Sequence, residues 1–337
     1  MGGRAVPIAW RHIGRASHVV SAGAPKSVAD QRVAVIDVGT NSVNMLIRDR
    51  EGDVVRRFAT PRLGEGVANT RFLSDEAQTR TVKVLQGYMK DISDAGVSRV
   101  RIIGTSACRR ATNIDQFAAL VRTATQVDLE VVDEHTEAKM SFRGALTGLP
   151  VNDTHGAERP IVVVDIGGGS TEFTIGVREP DVTFSLPYGA VVTTETELAH
   201  DPPRPEELTN AIGAVEDDLE ELTRAHPSLV ADPLVVGVAG TIVTVAAVEI
   251  GLSTFDDAAL HGFVLSKDAA EDVFRTLATE RLDDRVFNPG LPRDRADIIV
   301  GGCCVLVGIM RRLRLDSLVV STRNLLDGAA AEMLEQQ

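Results

Sequence analysis

The 337-residue chain is 44 % hydrophobic, 25 % charged and only 4 % aromatic, with a formal net charge of −13 at pH 7. That composition excludes a largely disordered chain, and at roughly 150 residues per domain the length leaves room for about two cores. The acidic balance argues against a broad nucleic-acid-binding face, so no DNA partner is expected, although a local cluster of donors can still hold a small anion.

Cys108, Cys303 and Cys304 show no CxxC spacing. They read as reduced, packed thiols in a cytoplasmic protein. No apolar run reaches the roughly 18 residues that a membrane span needs. Residues 1–31 carry Arg4, Arg11, Arg15 and Lys26 among Ser and Gly, without the apolar stretch of a signal peptide. They are expected to form a disordered extension.

From Arg32 onward the pattern is regular. Val33–Asp37 is a β-branched apolar run, followed by the polar turn GTNS, a second run at Val43–Ile47 and a third at Val54–Phe58. Ser74 caps a helix to about Ser93, with Val82, Leu85 and Met89 at helical spacing. Val100–Ile103 is a strand running into GTSACRR, Ile114–Thr123 a helix, Leu129–Val132 a strand and Glu137–Leu146 a helix. The stretch Thr147–Pro160 reads as a seam. Then the order starts again, with a strand at Ile161–Asp165, the turn GGGST and a strand around Phe173–Val177. A helical stretch covers Pro203–Arg224, and a strand at Leu234–Val238 leads into a helix from Thr241. A long helix is expected over Arg293–Leu313, then a strand at Leu318–Ser321 and a last helix from Leu325. Strands alternating with helices predict α/β layers with largely parallel sheets.

The informative feature is an internal repeat. Placing VAVIDVGTNSVNMLI over VVVDIGGGSTEFTI sets Asp37 on Asp165, Gly39 on Gly167, Ser42 on Ser170 and Ile47 on Ile175. One copy per half indicates a duplicated domain. The expected division is 32–137 and 138–337, with the last helix free to pack back on the first part. In each copy an Asp ends a buried strand, and glycine lets the backbone turn with its amides outward. Thr40, Asn41 and Ser42 in one turn, and Gly168, Gly169, Ser170 and Thr171 in the other, offer donors to an anion. Asp37 and Asp165 repel phosphate and are better suited to a divalent cation, held directly or through water. Two further turns follow strands, at Gly104-Thr105-Ser106 and Gly240-Thr241. Singly, each reads as a hairpin, a flexible loop or a capped helix start. Together they predict a cleft lined for a polyphosphate.

DVGTNS and DIGGGSTE resemble the two phosphate loops of the actin, Hsp70 and sugar-kinase fold. The chain more closely resembles the exopolyphosphatase and guanosine-pentaphosphate phosphohydrolase (Ppx/GppA) family. RLGEG at Arg62–Gly66, GTSACRRATN at Gly104–Asn113, EHTEAKMSF at Glu134–Phe142, LPYGAVVTTE at Leu186–Glu195, VAGT at Val238–Thr241 and NPGLPRDRADIIVGG at Asn288–Gly302 carry this likeness. It implies an α/β fold of two duplicated actin-like domains around a cleft, and a homodimer. It also implies that Glu137 prepares the attacking water, that Arg109 contacts the phosphate, and that Glu172 joins Asp165 in binding Mg²⁺. An arginine suits that task because its fork stays charged at any working pH.

Departures from the family pattern are Thr136, where a second glutamate is usual, Val192, where arginine is common, Val43 and Asn44, and the closing STRNLLDG at Ser321–Gly328. Arg293, Arg295, Arg311, Arg312, Arg314 and Arg323 are candidates for a compensating basic track. The expected activity is Mg²⁺-dependent release of orthophosphate from inorganic polyphosphate. The alternatives are the same reaction on guanosine pentaphosphate, or a binding protein with weak turnover. No base-stacking aromatic stands out, which favours polyphosphate and disfavours a kinase.

Overall fold

A computed structural model describes residues 32–149, 159–177, 179–230 and 232–336. The chain opens with β1 (Val33–Val38), β2 (Val43–Arg48), β3 (Asp53–Ala59), the short α1 (Val67–Thr70) and the long α2 (Asp75–Asp94). β4 (Arg99–Gly104), α3 (Ser106–Arg110), α4 (Ile114–Thr125) and β5 (Leu129–Val131) follow, and α5 (Glu134–Ala145) leaves this first sheet. Next come β6 (Ile161–Ile166), β7 (Thr171–Gly176), β8 (Pro180–Leu186), α6 (Ala190–Glu197), α7 (Pro205–Ala225) and β9 (Leu234–Val238). The remainder is α8 (Ala239–Ile250), α9 (Asp257–Leu260), β10 (Val264–Ser266), α10 (Lys267–Thr279), α11 (Leu282–Arg285), α12 (Ile299–Arg312), β11 (Ser317–Val320) and α13 (Leu325–Glu335).

The duplication extends to topology. One sheet runs β3-β2-β1-β4-β5 and the other, read in the same sense, β8-β7-β6-β9-β11-β10. In each, the first three strands pair antiparallel and the next two join in parallel. Even the register shift recurs, at Ile47/Arg48 and at Ile175/Gly176. The duplicated α/β arrangement expected from the sequence is therefore present, but the sheets are mixed rather than largely parallel. The short polar turns after β1 and β6 send the chain straight back, which only antiparallel pairing permits.

Central strands β1 and β6 are apolar on both faces because both faces are covered. Ala34, Ile36 and Val38 pack with Leu85 and Phe117 on the outer side of the first sheet. Val33 and Val35 pack with Met140, Leu326, Ala329 and Met333 on its inner side. In the second sheet Val162 and Val164 face a core with Val215, Phe274 and Ile309, while Ile161 and Val163 meet Phe142 and Ala145 of α5. Helices α5 and α13 thus lie between the sheets. They touch backbone to backbone, because a β-carbon on Gly144 would fall 1.8 Å from the Asn324 carbonyl oxygen, and one on Gly328 2.0 Å from that of Met140.

Several boundaries differ from the sequence expectation for identifiable reasons. Asp133 accepts a hydrogen bond from the Thr136 amide (2.7 Å), so α5 starts at Glu134, a turn earlier than expected. The helix expected over Arg293–Leu313 is broken. A 3₁₀ turn at Arg293–Arg295 precedes α12, because the Asp294 carbonyl accepts from Arg62 (2.9 Å) and that of Ala296 from Arg285 (3.0 Å). The sequence pattern predicts none of β8, α6 and α10, nor the short α1, α3, α9, β10 and α11. The N-terminal extension and most of the Thr147–Pro160 seam lie outside the described residues. Cys108, Cys303 and Cys304 are buried and unbridged. Among the described residues no helix is long and apolar enough to cross a membrane.

Candidate active site

The two Asp-Gly turns are built alike. The Gly39 amide donates to the Ser42 carbonyl (2.9 Å), and that of Gly167 to the Ser170 carbonyl (3.0 Å). Strand register then sets Asp37 opposite Asn44 and Asp165 opposite Glu172. The second copy therefore carries a carboxylate where the first carries an amide.

Tertiary packing brings the turns face to face. A β-carbon on Gly169 would lie 2.6 Å from Thr40 Oγ1 and 2.7 Å from Ser106 Oγ, and one on Gly168 3.3 Å from the Asn41 amide nitrogen. Only a residue without a side chain allows this approach. Between and beside the turns is a cleft of about 840 Å³. Its walls include Asp37, Gly39, Thr40, Asn41, Ser42, Thr105, Ser106, Glu137, Asp165, Gly167, Gly168, Gly169, Ser170, Glu172, Gly240 and Thr241. Thr171 does not join them; it is fully buried and donates to the Tyr188 carbonyl (2.7 Å). Both polar side-chain atoms of Asn41 are buried without a partner, as is Asp37 Oδ1. Buried polar atoms are seldom left without a partner, so water, an ion or a ligand is expected to meet them.

Arg109, at the end of α3, stands behind this wall. Its Nη1 donates to Glu137 Oε2 and to the Val132 carbonyl (3.2 Å), and its Nη2 is 3.9 Å from Glu172 Oε1. Ser141, one turn beyond Glu137 on α5, donates to Asp165, and Ser185 donates to Glu172 (3.2 Å). Asn44 donates to Asp37 at a long 3.5 Å. Asp37, Glu137, Asp165 and Glu172 thus crowd one site, with the Arg109 guanidinium paired to Glu137 and close to Glu172.

Burial raises the carboxyl pKa of all four. Asp37 is pushed up to about 8, by burial first and then by the Glu137 charge. Glu137 rises to about 7, because burial outweighs the lowering by Arg109. Glu172 is raised well above its ordinary range by burial, Glu137 and Asp165, and Asp165 is raised by burial against the Ser141 hydrogen bond. A native state that holds its protons more tightly than the unfolded chain loses stability as pH rises between the two pKa values. For Asp37 that window runs from the ordinary 3.8 to about 8. Without divalent cations, the melting temperature should therefore fall across this range. Asp37→Asn should exceed the wild type at pH 8 by on the order of 2 kcal/mol, or roughly 3 °C. Equal pH slopes in calorimetry for the two proteins would contradict this.

The donor set consists of carboxylate oxygens, which suits a hard divalent cation. Among the described residues, however, no three His, Cys, Asp or Glu side chains converge as a metal cage.

Sequence reasoning missed several participants. Ser141 was signalled by its i+4 spacing from Glu137, whereas Ser185 belongs to a strand that was not anticipated. Phe58 (50 % exposed) and Phe255 (69 % exposed) both line the cleft, so aromatic groups are present after all. Arg295 packs on the Gly240 turn, its guanidinium 5.1 Å from the Phe58 ring centroid. The other arginines do not form one track with it. Arg311 pairs with Glu271 and Arg323 with Asp257, Arg312 lies near Glu220, and Arg293 stacks on Phe287.

A model of the Ppx/GppA phosphatase family matches residues 46–337. Exopolyphosphatase 2 of Mycobacterium tuberculosis is 36 % identical over 320 residues, covering 90 % of this chain and 98 % of that protein. Guanosine-5'-triphosphate,3'-diphosphate pyrophosphatase of Vibrio atlanticus is 28 % identical over 92 % of this chain, which spans 61 % of that longer protein. The crystal structure of an exopolyphosphatase-like protein superposes with a TM-score of 0.85 at 30 % identity, covering 90 % of this chain and 99 % of the other. With its paired Asp-Gly turns closing on one cleft, the chain belongs to the Ppx/GppA phosphatase family.

Proposed function

We propose that this protein is a divalent-cation-dependent exopolyphosphatase, releasing orthophosphate from the end of inorganic polyphosphate. The observation that carries the reading is the contact of Gly168 and Gly169 with Thr40, Asn41 and Ser106, directly beside the Arg109–Glu137 pair. Two opposed nests of amides and hydroxyls suit a row of phosphate units better than one compact anion.

The terminal phosphate is held by amides and hydroxyls of the Thr40–Ser42 and Gly167–Ser170 turns. From its place behind the cleft wall, the Arg109 guanidinium reaches the phosphoryl oxygens only by giving up part of its pairing with Glu137 as substrate enters. Glu137, poised at about 7, orients a water and accepts its proton as the oxygen attacks phosphorus. The bond to the bridging oxygen breaks, leaving orthophosphate and a chain shorter by one unit. Asp165 and Glu172, with Asp37 across the cleft, are the residues that hold the cation, and Mg²⁺ supplies charge neutralisation of the phosphates when bound. Ser141 and Ser185 keep those carboxylates aimed at the cleft.

Phe58, Phe255 and Arg295 give the second reading, guanosine pentaphosphate hydrolysis, a specific basis: a planar base can stack where a bare polyphosphate needs no such surface. Phosphate release should be measured on polyphosphate and on guanosine pentaphosphate side by side, with and without Mg²⁺. The expected result is release from polyphosphate that stops on chelation. Release confined to the nucleotide would select the second reading, and release from neither would overturn both. On the family resemblance we take the protein to be a homodimer, which sedimentation of the full chain tests, and on its unbridged cysteines to be cytoplasmic.

A further inference from the structure

The loop that backs the first phosphate turn is tied across the cleft. The Arg62 amide donates to the Asn41 carbonyl (3.0 Å) and that of Gly64 to the Thr40 carbonyl (2.8 Å), so this loop and the turn move as one piece. Arg62 itself sits at φ 56°, a left-handed conformation that a residue with a side chain occupies only when its surroundings impose it. Its guanidinium makes a two-pronged contact with Asp297, with Nη2 to Oδ1 at 2.9 Å, and also donates to the Asp294 carbonyl (2.9 Å). Thr60 donates to the Asp294 carboxylate, and the Gly66 amide to Glu195 of α6 (3.0 Å). Asp294 and Asp297 flank Arg295, which covers the Gly240 turn on the second-sheet side. One continuous set of contacts therefore runs from Thr40 and Asn41, through Arg62, to the Arg295–Gly240 turn.

We infer that Arg62 is a positioning residue, whose pairing with Asp297 sets the separation of the two phosphate-gripping halves and holds the cleft in its substrate-ready form. The inference rests on the reading of those turns as phosphate sites. Arg62 does not line the cleft and acts only through the turns it joins. Its side chain keeps 31 % exposure and that of Asp297 35 %, so water and salt screen the pair, and thermal motion can release it to admit a chain. Lysine cannot reproduce the contact, since it presents a point charge rather than a fork.

If Arg62 shifts the equilibrium towards the closed form, its loss lowers the closed fraction, and apparent affinity falls by that fraction while saturating substrate still restores closure. For Arg62→Ala the expected result is a KM on polyphosphate raised about tenfold, with kcat within about threefold of wild type. Asp297→Asn should act in the same direction, Arg62→Lys should be intermediate, and the swap R62D/D297R should recover most of the loss. Small-angle scattering of the full chain without substrate should show a larger radius of gyration for Arg62→Ala, returning to the wild-type value with polyphosphate and Mg²⁺. A purely structural role would instead lower kcat at unchanged KM by reducing the folded fraction. That outcome, or a wild-type KM together with a wild-type radius, overturns the inference. If the wild type hydrolyses neither substrate, the functional reading fails, and the substrate-free scattering comparison alone decides whether the clasp exists.

Discussion

Replacing Glu137 by Gln is expected to cut phosphate release by about 10²–10⁴-fold while leaving phosphate binding nearly intact. The amide is isosteric, and its oxygen can still accept from Arg109 Nη1, so the guanidinium keeps a partner for its buried end. What disappears is the proton acceptor and one negative charge in a cluster that also holds Asp37, Asp165 and Glu172. Losing that charge relieves the repulsion that raises Asp37 and Glu172, so the variant should melt no lower than the wild type. It should also bind the polyanion at least as tightly. Turnover, calorimetric binding of polyphosphate and melting temperature, measured on one preparation, separate the cases. Wild-type turnover in Glu137→Gln would remove Glu137 from the chemistry. A large loss of binding would instead make it a ligand-holding group. In the wild type the acid limb of kcat/KM should fall near or below pH 7, since the proposed role needs Glu137 deprotonated and a bound cation pulls its pKa down.

The second large effect concerns stability. Gly144→Ala and Gly328→Ala each force a methyl group into the backbone of the opposing helix, at 1.8 Å and 2.0 Å from carbonyl oxygens. Backbone cannot swing aside as a flexible side chain can, so α5 and α13 must separate along their length. Met140, Leu325, Leu326, Ala329 and Met333 would then lose part of their packing against Val33, Val35 and Leu46. Overpacking of this kind costs about 3 kcal/mol, or roughly 4–5 °C in a chain of this size. Two other helical glycines provide the control. A β-carbon at Gly87 in α2 or Gly213 in α7 meets nothing within 4 Å. Alanine there should raise stability by about 0.5–1 kcal/mol through helix propensity alone. Four variants of one chemical change should therefore split in sign. If all four melt within a degree of one another, the helix crossing is not the close contact described. Because α5 also carries Glu137, the two destabilised variants should lose activity before they unfold.

Contiguous residues were enough to read the duplicated strand-turn-strand units, the Ser74 cap and the buried strands. Each is governed by hydrogen bonds and side-chain alternation within a few positions, and the matching turn bonds at Gly39 and Gly167 show it directly. The resemblance carried by EHTEAKMSF and GTSACRRATN pointed to Glu137 and Arg109, which composition and periodicity would have left as surface charges. Long-range contacts lay beyond reach. The helix expected from Arg293 is interrupted because its carbonyls serve Arg62 and Arg285, and no local propensity registers a partner from the first sheet. Thr171 reads as one more loop donor until strand pairing turns it inward to Tyr188. Phe58 and Phe255, far apart along the chain, become neighbours of one cleft only when the sheets are assembled. The amino-acid order by itself determined two copies of a donor-rich Asp-Gly turn on apolar strands, because those features are local. That the copies face each other, that four carboxylates gather beside Arg109, and that Arg62 reaches Asp297 were decided by packing alone. Such contacts depend on where α5 and α13 hold the two sheets, which is a property of the whole fold rather than of any segment.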